Sequence, residues 1–156
     1  MGMPKSVVKI KKDGIEYVSS VNKIEYTMLE LERAALRDSG KLLKKRTKAK
    51  IPKVTGNTRK TVATWVRKPW KNRAAHLQIG VYNFKTAAKK HLEYSGYYFH
   101  ILEFGSRLVK ALRPLTSTAK ESIQDVRKIQ AQYLSYVDNE QKALSVINED
   151  EEVDDS

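Results

Sequence analysis

No cysteine occurs among the 156 residues. That absence excludes a disulfide scaffold, a thiol nucleophile and any Cys-ligated zinc or iron–sulfur centre, and it fits a reducing compartment. No run of about 18 apolar residues is present, so no membrane-spanning helix is expected. The opening Met1-Gly2-Met3-Pro4-Lys5 lacks the apolar stretch of a secretory signal. There is no Gly-rich phosphate loop and no G-x-S-x-G elbow. His76, His91 and His100 fall in no metal-ligand spacing and read as surface or half-buried side chains. Carboxylates are scarce where cations are dense: residues 41–113 hold only Glu93 and Glu103. Such a pair serves as acid and base only if the fold unites it, and a salt bridge is the plainer reading of each. The expectation is a non-enzyme with no cofactor and no metal.

What is present is charge, unevenly placed. The net charge is +12. Residues 41–113 carry 19 Lys/Arg, a net of +17, whereas residues 114–156 carry 4 against 10 carboxylates, a net of −6. A basic middle and an acidic end point to a polyanion, an acidic protein surface or a neighbouring copy's acidic tail as partner. The length suits one domain with its own core.

Val7-Val8-Lys9-Ile10 and Ile15-Glu16-Tyr17-Val18 flank Asp13-Gly14, which predicts an edge hairpin or a loosely held arm. From Asn22 the period becomes helical, and Asn22 with Glu25 reads as a capping box. Ile24, Met28, Leu31, Ala35, Leu42 and Ala49 form the apolar stripe, widened by Leu29, Leu36 and Leu43. Gly40 marks a bend or a close approach. Pro52 stops the helix. Alternation over residues 60–82 predicts an antiparallel strand pair with a long basic loop. Residues 94–104 read as an aromatic helix ended by Gly105, with Phe104 in the core and Glu103 as partner of an arginine. Pro114 opens a last helix with Ala119, Ile123, Val126, Tyr133, Val137 and Leu144 as its stripe, fading near Ser145.

The fold class expected is α+β: a long N-terminal helix and a long C-terminal helix packed on a small antiparallel sheet, with a short aromatic helix. Residues 1–20 form an arm or hairpin, 21–145 a single domain and 146–156 an acidic flexible tail. Basic residues interleave with Trp65, Trp70 and Tyr82, a pattern that allows stacking plus phosphate contact. Trp65 is equally a core residue. No groove-reading motif accompanies them. A stand-alone basic nucleic-acid-binding protein is therefore the alternative reading.

Three segments in order resemble a family of bacteriophage tail components. Ile51-Pro52-Lys53-Val54-Thr55-Gly56-Asn57-Thr58-Arg59 is similar to that family's "aP-x-x-TG-x-L-R" break, with Thr58 where leucine is usual. The strand pair ending Ile79-Gly80-Val81 follows. Tyr98 to Ser106 then resembles the "Y-x-x-x-x-E-F-G-T" signature, with Ser106 in place of threonine, and Arg113-Pro114-Leu115 resembles a reduced "P-F-L" element. The likeness spans about residues 7 to 135.

The resemblance implies a structural virion protein of the neck or tail of a long-tailed phage, assembled in the host cytoplasm and similar in role to the minor tail protein Z group. It implies a ring subunit, commonly sixfold, acting in tail completion and head–tail joining. The implied partners are other copies of itself, the tail terminator and the head-closure or connector proteins. Non-specific contact with packaged DNA is a further expectation. Arg59, Lys60, Arg67, Lys68, Lys71 and Arg73 are the candidate inter-subunit or DNA-facing surface. Pro52, Thr55, Gly56, Glu103, Phe104 and Gly105 are the candidate signature residues, structural or at an interface.

Overall fold

The computed structural model describes residues 8–12, 15–19, 21–53, 57–67, 74–91, 96–139, 142–143 and 145–147. Strands β1 (Val8–Lys12) and β2 (Ile15–Ser19) pair antiparallel, with Lys12 opposite Ile15. Two residues join them, the spacing that Asp-Gly predicts for a tight hairpin. Helix α1 (Val21–Lys50) follows, 30 residues and about 45 Å long. It begins at Val21, so Asn22 lies inside the first turn and not at the cap position. The helix stops ahead of Pro52, as that proline requires.

A single turn, α2 (Asn57–Lys60), leads into β3 (Val62–Arg67), which pairs antiparallel with β4 (His76–Val81). The ladder extends one step further through Tyr82 N–H to Thr61 O at 2.9 Å. Helix α3 (Phe84–Lys89) starts at Asn83, whose side chain accepts the Thr86 amide at 2.8 Å. Helix α4 (Gly96–Phe104) and helix α5 (Pro114–Ser135) complete the elements. The architecture is α+β, with two long helices and small antiparallel sheets.

The chain divides into two compact units. Residues 36–130 form one, and residues 1–35 with 131–156 form the other. Both α1 and α5 carry residues of each.

In the larger unit Ile51, Val62 and Phe99 are buried together, with Val81, Leu102 and Leu115 packed on them. The sheet meets α1 at Gly40, where an added Cβ would stand 3.0 Å from Leu77 Cδ1 and 3.4 Å from Thr64 Cβ. Close approach, not a bend, explains this glycine. The buried faces of the long helices are more polar than the expected stripes. On α1 of this unit the fully buried side chains are Ser39 and Thr47; on α5 they are Thr118 and Ser122, with Pro114. Ile123 is half exposed and Ala49 and Ala119 face solvent. A count of large apolar residues does not register such small polar side chains.

In the smaller unit Leu31 is buried with Ala143 and Ile147, and Tyr133, Tyr136 and Val146 pack on them. Ile24 and Met28, expected on the stripe, are about half exposed. Helix α5 ends at Ser135, ten residues short of the expected fade. Asn139 then accepts the Lys142 amide through Oδ1 and the Ala143 amide through its carbonyl, opening the helical residues 142–143 and 145–147. The expected tail boundary at 146 moves outward, because burying Ile147 against Leu31 removes apolar surface from water. Residues 148–156 lie outside the described residues.

Candidate interaction surface

The signature segment Glu103-Phe104-Gly105-Ser106 forms the joint between α4 and α5. Glu103 is only 6% exposed, on the last turn of α4. Among the described residues its partners are backbone and hydroxyl groups of α5, not the expected arginine. One carboxylate oxygen accepts the Leu115 amide at 2.9 Å; the other accepts the Thr116 amide at 3.0 Å and the Thr116 hydroxyl at 2.5 Å. Glu103 thus caps the first turn of α5 and places a negative charge at its N-terminus, where orphan amides and the helix dipole favour an anion. Glu93, the other carboxylate of the basic region, lies outside the described residues.

Gly105 ends α4 with φ +82° and donates its amide to Ile101 O at 2.8 Å. A Cβ there would stand 3.0 Å from Ala111 N and 3.1 Å from Val109 O. Ser106 closes the turn that follows: its amide donates to Val109 O at 2.8 Å, and its hydroxyl accepts the Val109 amide at 3.1 Å. Leu102 O accepts the amides of both Leu112 and Arg113, at 2.9 and 3.0 Å. Arg113 reaches this arrangement with φ +53°, the left-handed region. The loop between the helices is therefore fixed by its own hydrogen bonds at both ends.

What this fixed loop displays is apolar. Phe104 is 76% exposed and Leu108 93%, with Val109 and Leu112 about half exposed. The expectation that Phe104 is core is overturned: Phe99, at 4%, takes that place, and Phe104 is 76% exposed and stacks on exposed His100, 5.9 Å away. The sequence signal for this surface was the run Arg107-Leu108-Val109-Lys110-Ala111-Leu112-Arg113, in which leucines recur without a helix to bury them.

The candidate basic surface does not gather into one patch among the described residues. Arg59 donates Nε to Ile51 O at 2.7 Å and ties α2 to the end of α1. Lys60 is exposed just before β3, and Arg67 is exposed at its far end, bonded to Gln78 Oε1 at 2.9 Å. The strand between them spans about 20 Å. Lys68, Lys71 and Arg73 lie outside the described residues, as do Thr55 and Gly56. Pro52 is exposed immediately after the buried Ile51.

The basic end of α1 turns to α5. Arg46 pairs with Asp125 at 2.6 Å and reaches Ser122 Oγ at 2.9 Å; Lys50 pairs with Glu121 at 2.7 Å and Ser117 Oγ at 3.0 Å. Trp65 lies on the outer face of β3 above Gly80, partly exposed, with Tyr82 edge-on at 6.0 Å. Lys90 stands 5.5 Å from the Tyr82 ring.

An open cavity of about 300 Å³ is lined by Leu43, Thr47, Ile79, Leu115, Thr116, Thr118 and Ala119. The hydroxyls of Thr47 and Thr118 are buried without a hydrogen-bond partner among the described residues. Among the described residues no group of His, Asp and Glu is arranged to hold a metal ion, and no helix is long and apolar enough to cross a membrane.

No protein-family model matches the chain, and neither a curated protein nor a solved structure matches it.

Proposed function

We propose that this chain is a non-enzymatic structural subunit of the neck or tail of a long-tailed bacteriophage. In this reading it joins other copies in a ring and contacts tail-terminator and head-closure proteins during tail completion and head–tail joining. The single observation that carries the reading is the loop at the signature joint. Four exposed apolar side chains, Phe104, Leu108, Val109 and Leu112, sit on backbone fixed at both ends by hydrogen bonds. Rigid apolar display of this kind is costly in water and suits a surface that a partner covers.

The signature residues support the same reading through their roles. Glu103 and Gly105 build the joint, and Phe104 is what the joint presents. Against the stand-alone nucleic-acid reading, three cations of the basic region are already engaged: Arg46 with Asp125, Lys50 with Glu121 and Arg59 with the Ile51 carbonyl. Phosphate binding needs cations free to release their counterions.

The test is compositional. Particles purified from an infected culture contain the chain in stoichiometric amount by mass spectrometry, and a Phe104→Asp virus yields filled heads without joined tails. Infectious particles that lack the chain would overturn the proposal.

A further inference from the structure

We infer that the loop at residues 107–113 is covered by the acidic segment 149–155 of a second copy of this chain. This deepens the virion-subunit reading and rests on it only in treating the loop as a subunit-facing surface.

The loop itself sets the chemistry of its occupant. Arg107, Lys110 and Arg113 are exposed around Leu108, Val109 and Leu112, and no carboxylate lies between Phe104 and Arg113. Among the described residues none of the three cations makes an ion pair. The matching partner is a segment dense in carboxylates with an apolar side chain among them.

The chain holds one such segment. Six of its 18 carboxylates fall in Glu149-Asp150-Glu151-Glu152-Val153-Asp154-Asp155, with Val153 between them. Most of the other carboxylates described are already engaged. Glu30 pairs with Arg33, Asp38 with Lys41, Glu121 with Lys50 and Asp125 with Arg46, and Glu103 caps α5. Complementary charge selects partner and register, while the apolar side chains supply the surface removed from water. A subunit carrying both the acidic segment and its basic seat makes a head-to-tail contact, and contacts of that kind form a ring where the rotation between copies closes.

The test uses full-length chains and sedimentation velocity. One variant reverses the seat, Arg107→Glu with Lys110→Glu. The other reverses the segment, with Glu149→Lys, Glu151→Lys and Glu152→Lys. Wild type self-associates, and association weakens as salt rises. Each variant alone associates about tenfold or more weakly. An equimolar mixture of the two associates again, because each then offers what the other needs; recovery also shows that both variants are folded. Three results would overturn the inference: wild type that stays monomeric, variants that associate as wild type does, or a mixture that does not recover. Duplex DNA that binds wild type and not the seat variant would assign the loop to nucleic acid and overturn it as well. Presence of the chain in particles with no such self-association leaves the virion reading standing and this inference refuted.

Discussion

Glu103 accepts both the amide and the hydroxyl of Thr116, at 3.0 and 2.5 Å, from thirteen residues earlier in the chain. With the Leu115 amide this gives α5 a cap supplied by another helix, where most helices use a side chain next to their own first turn. Removing the carboxylate takes the acceptor from the Leu115 and Thr116 amides and the Thr116 hydroxyl in a part-buried joint, so Glu103→Ala costs about 2 kcal/mol. Glu103→Gln keeps one acceptor oxygen and costs less. Urea unfolding of the three proteins orders them wild type, Gln, Ala; an Ala variant as stable as wild type would remove the cap from the account.

Two glycines make opposite demands on a new methyl group. At Gly105 φ is +82° and a Cβ meets the backbone atoms Ala111 N and Val109 O. Left-handed alanine costs about 1–2 kcal/mol before any clash, and backbone cannot step aside cheaply. Gly40 lies inside α1, and its nearest obstacle is the flexible end of Leu77. There alanine gains about 1 kcal/mol in helix propensity to set against the crowding. Thermal melts therefore place Gly105→Ala well below Gly40→Ala, and the reverse order would refute both assignments.

What the sequence disclosed and what it hid divide along a physical line. The hairpin with two residues between Lys12 and Ile15, the helix stop before Pro52, the turn at Gly105 and the start at Pro114 follow from local backbone chemistry. The contact faces of the long helices do not. Ser39, Thr47, Thr118 and Ser122 are buried because they are small, and hydrophobic counting passes over them in favour of Ile123 and Ala119. Phe104 failed for the same reason in reverse: aromatic composition predicts burial, and only the position of Phe99 within the core shows that α4 turns Phe104 outward. The roles of Glu103 and Arg59 required knowing which backbone groups lie within reach.

Lys48 gives a pH-dependent signal. Burial, and secondarily the charge of Lys44, hold its ammonium pKa below the usual 10.5. A lowered lysine pKa means that the folded state disfavours the charged form, so folding carries a penalty at neutral pH that disappears as pH rises through the lowered value toward 10.5. Lys48→Gln therefore melts above wild type at neutral pH, and the two curves converge at alkaline pH. A difference that stays constant across that range would show that the effect is packing and not charge.

The unpartnered hydroxyls of Thr47 and Thr118 make the opposite kind of prediction, a gain. Both side chains are essentially unexposed, and both line the cavity between Leu43, Ile79 and Leu115. A buried hydroxyl without a partner forfeits its bonds to water and recovers nothing, a cost of about 1–3 kcal/mol. Valine has the same branched shape with a methyl group in place of the hydroxyl. Thr47→Val and Thr118→Val each stabilise the chain by about 1 kcal/mol in urea unfolding. The double variant departs from simple addition, because the two residues share one cavity. A loss of stability in either variant would mean that the hydroxyl is satisfied in solution, by water entering the cavity, and that these threonines hold the helices together through it.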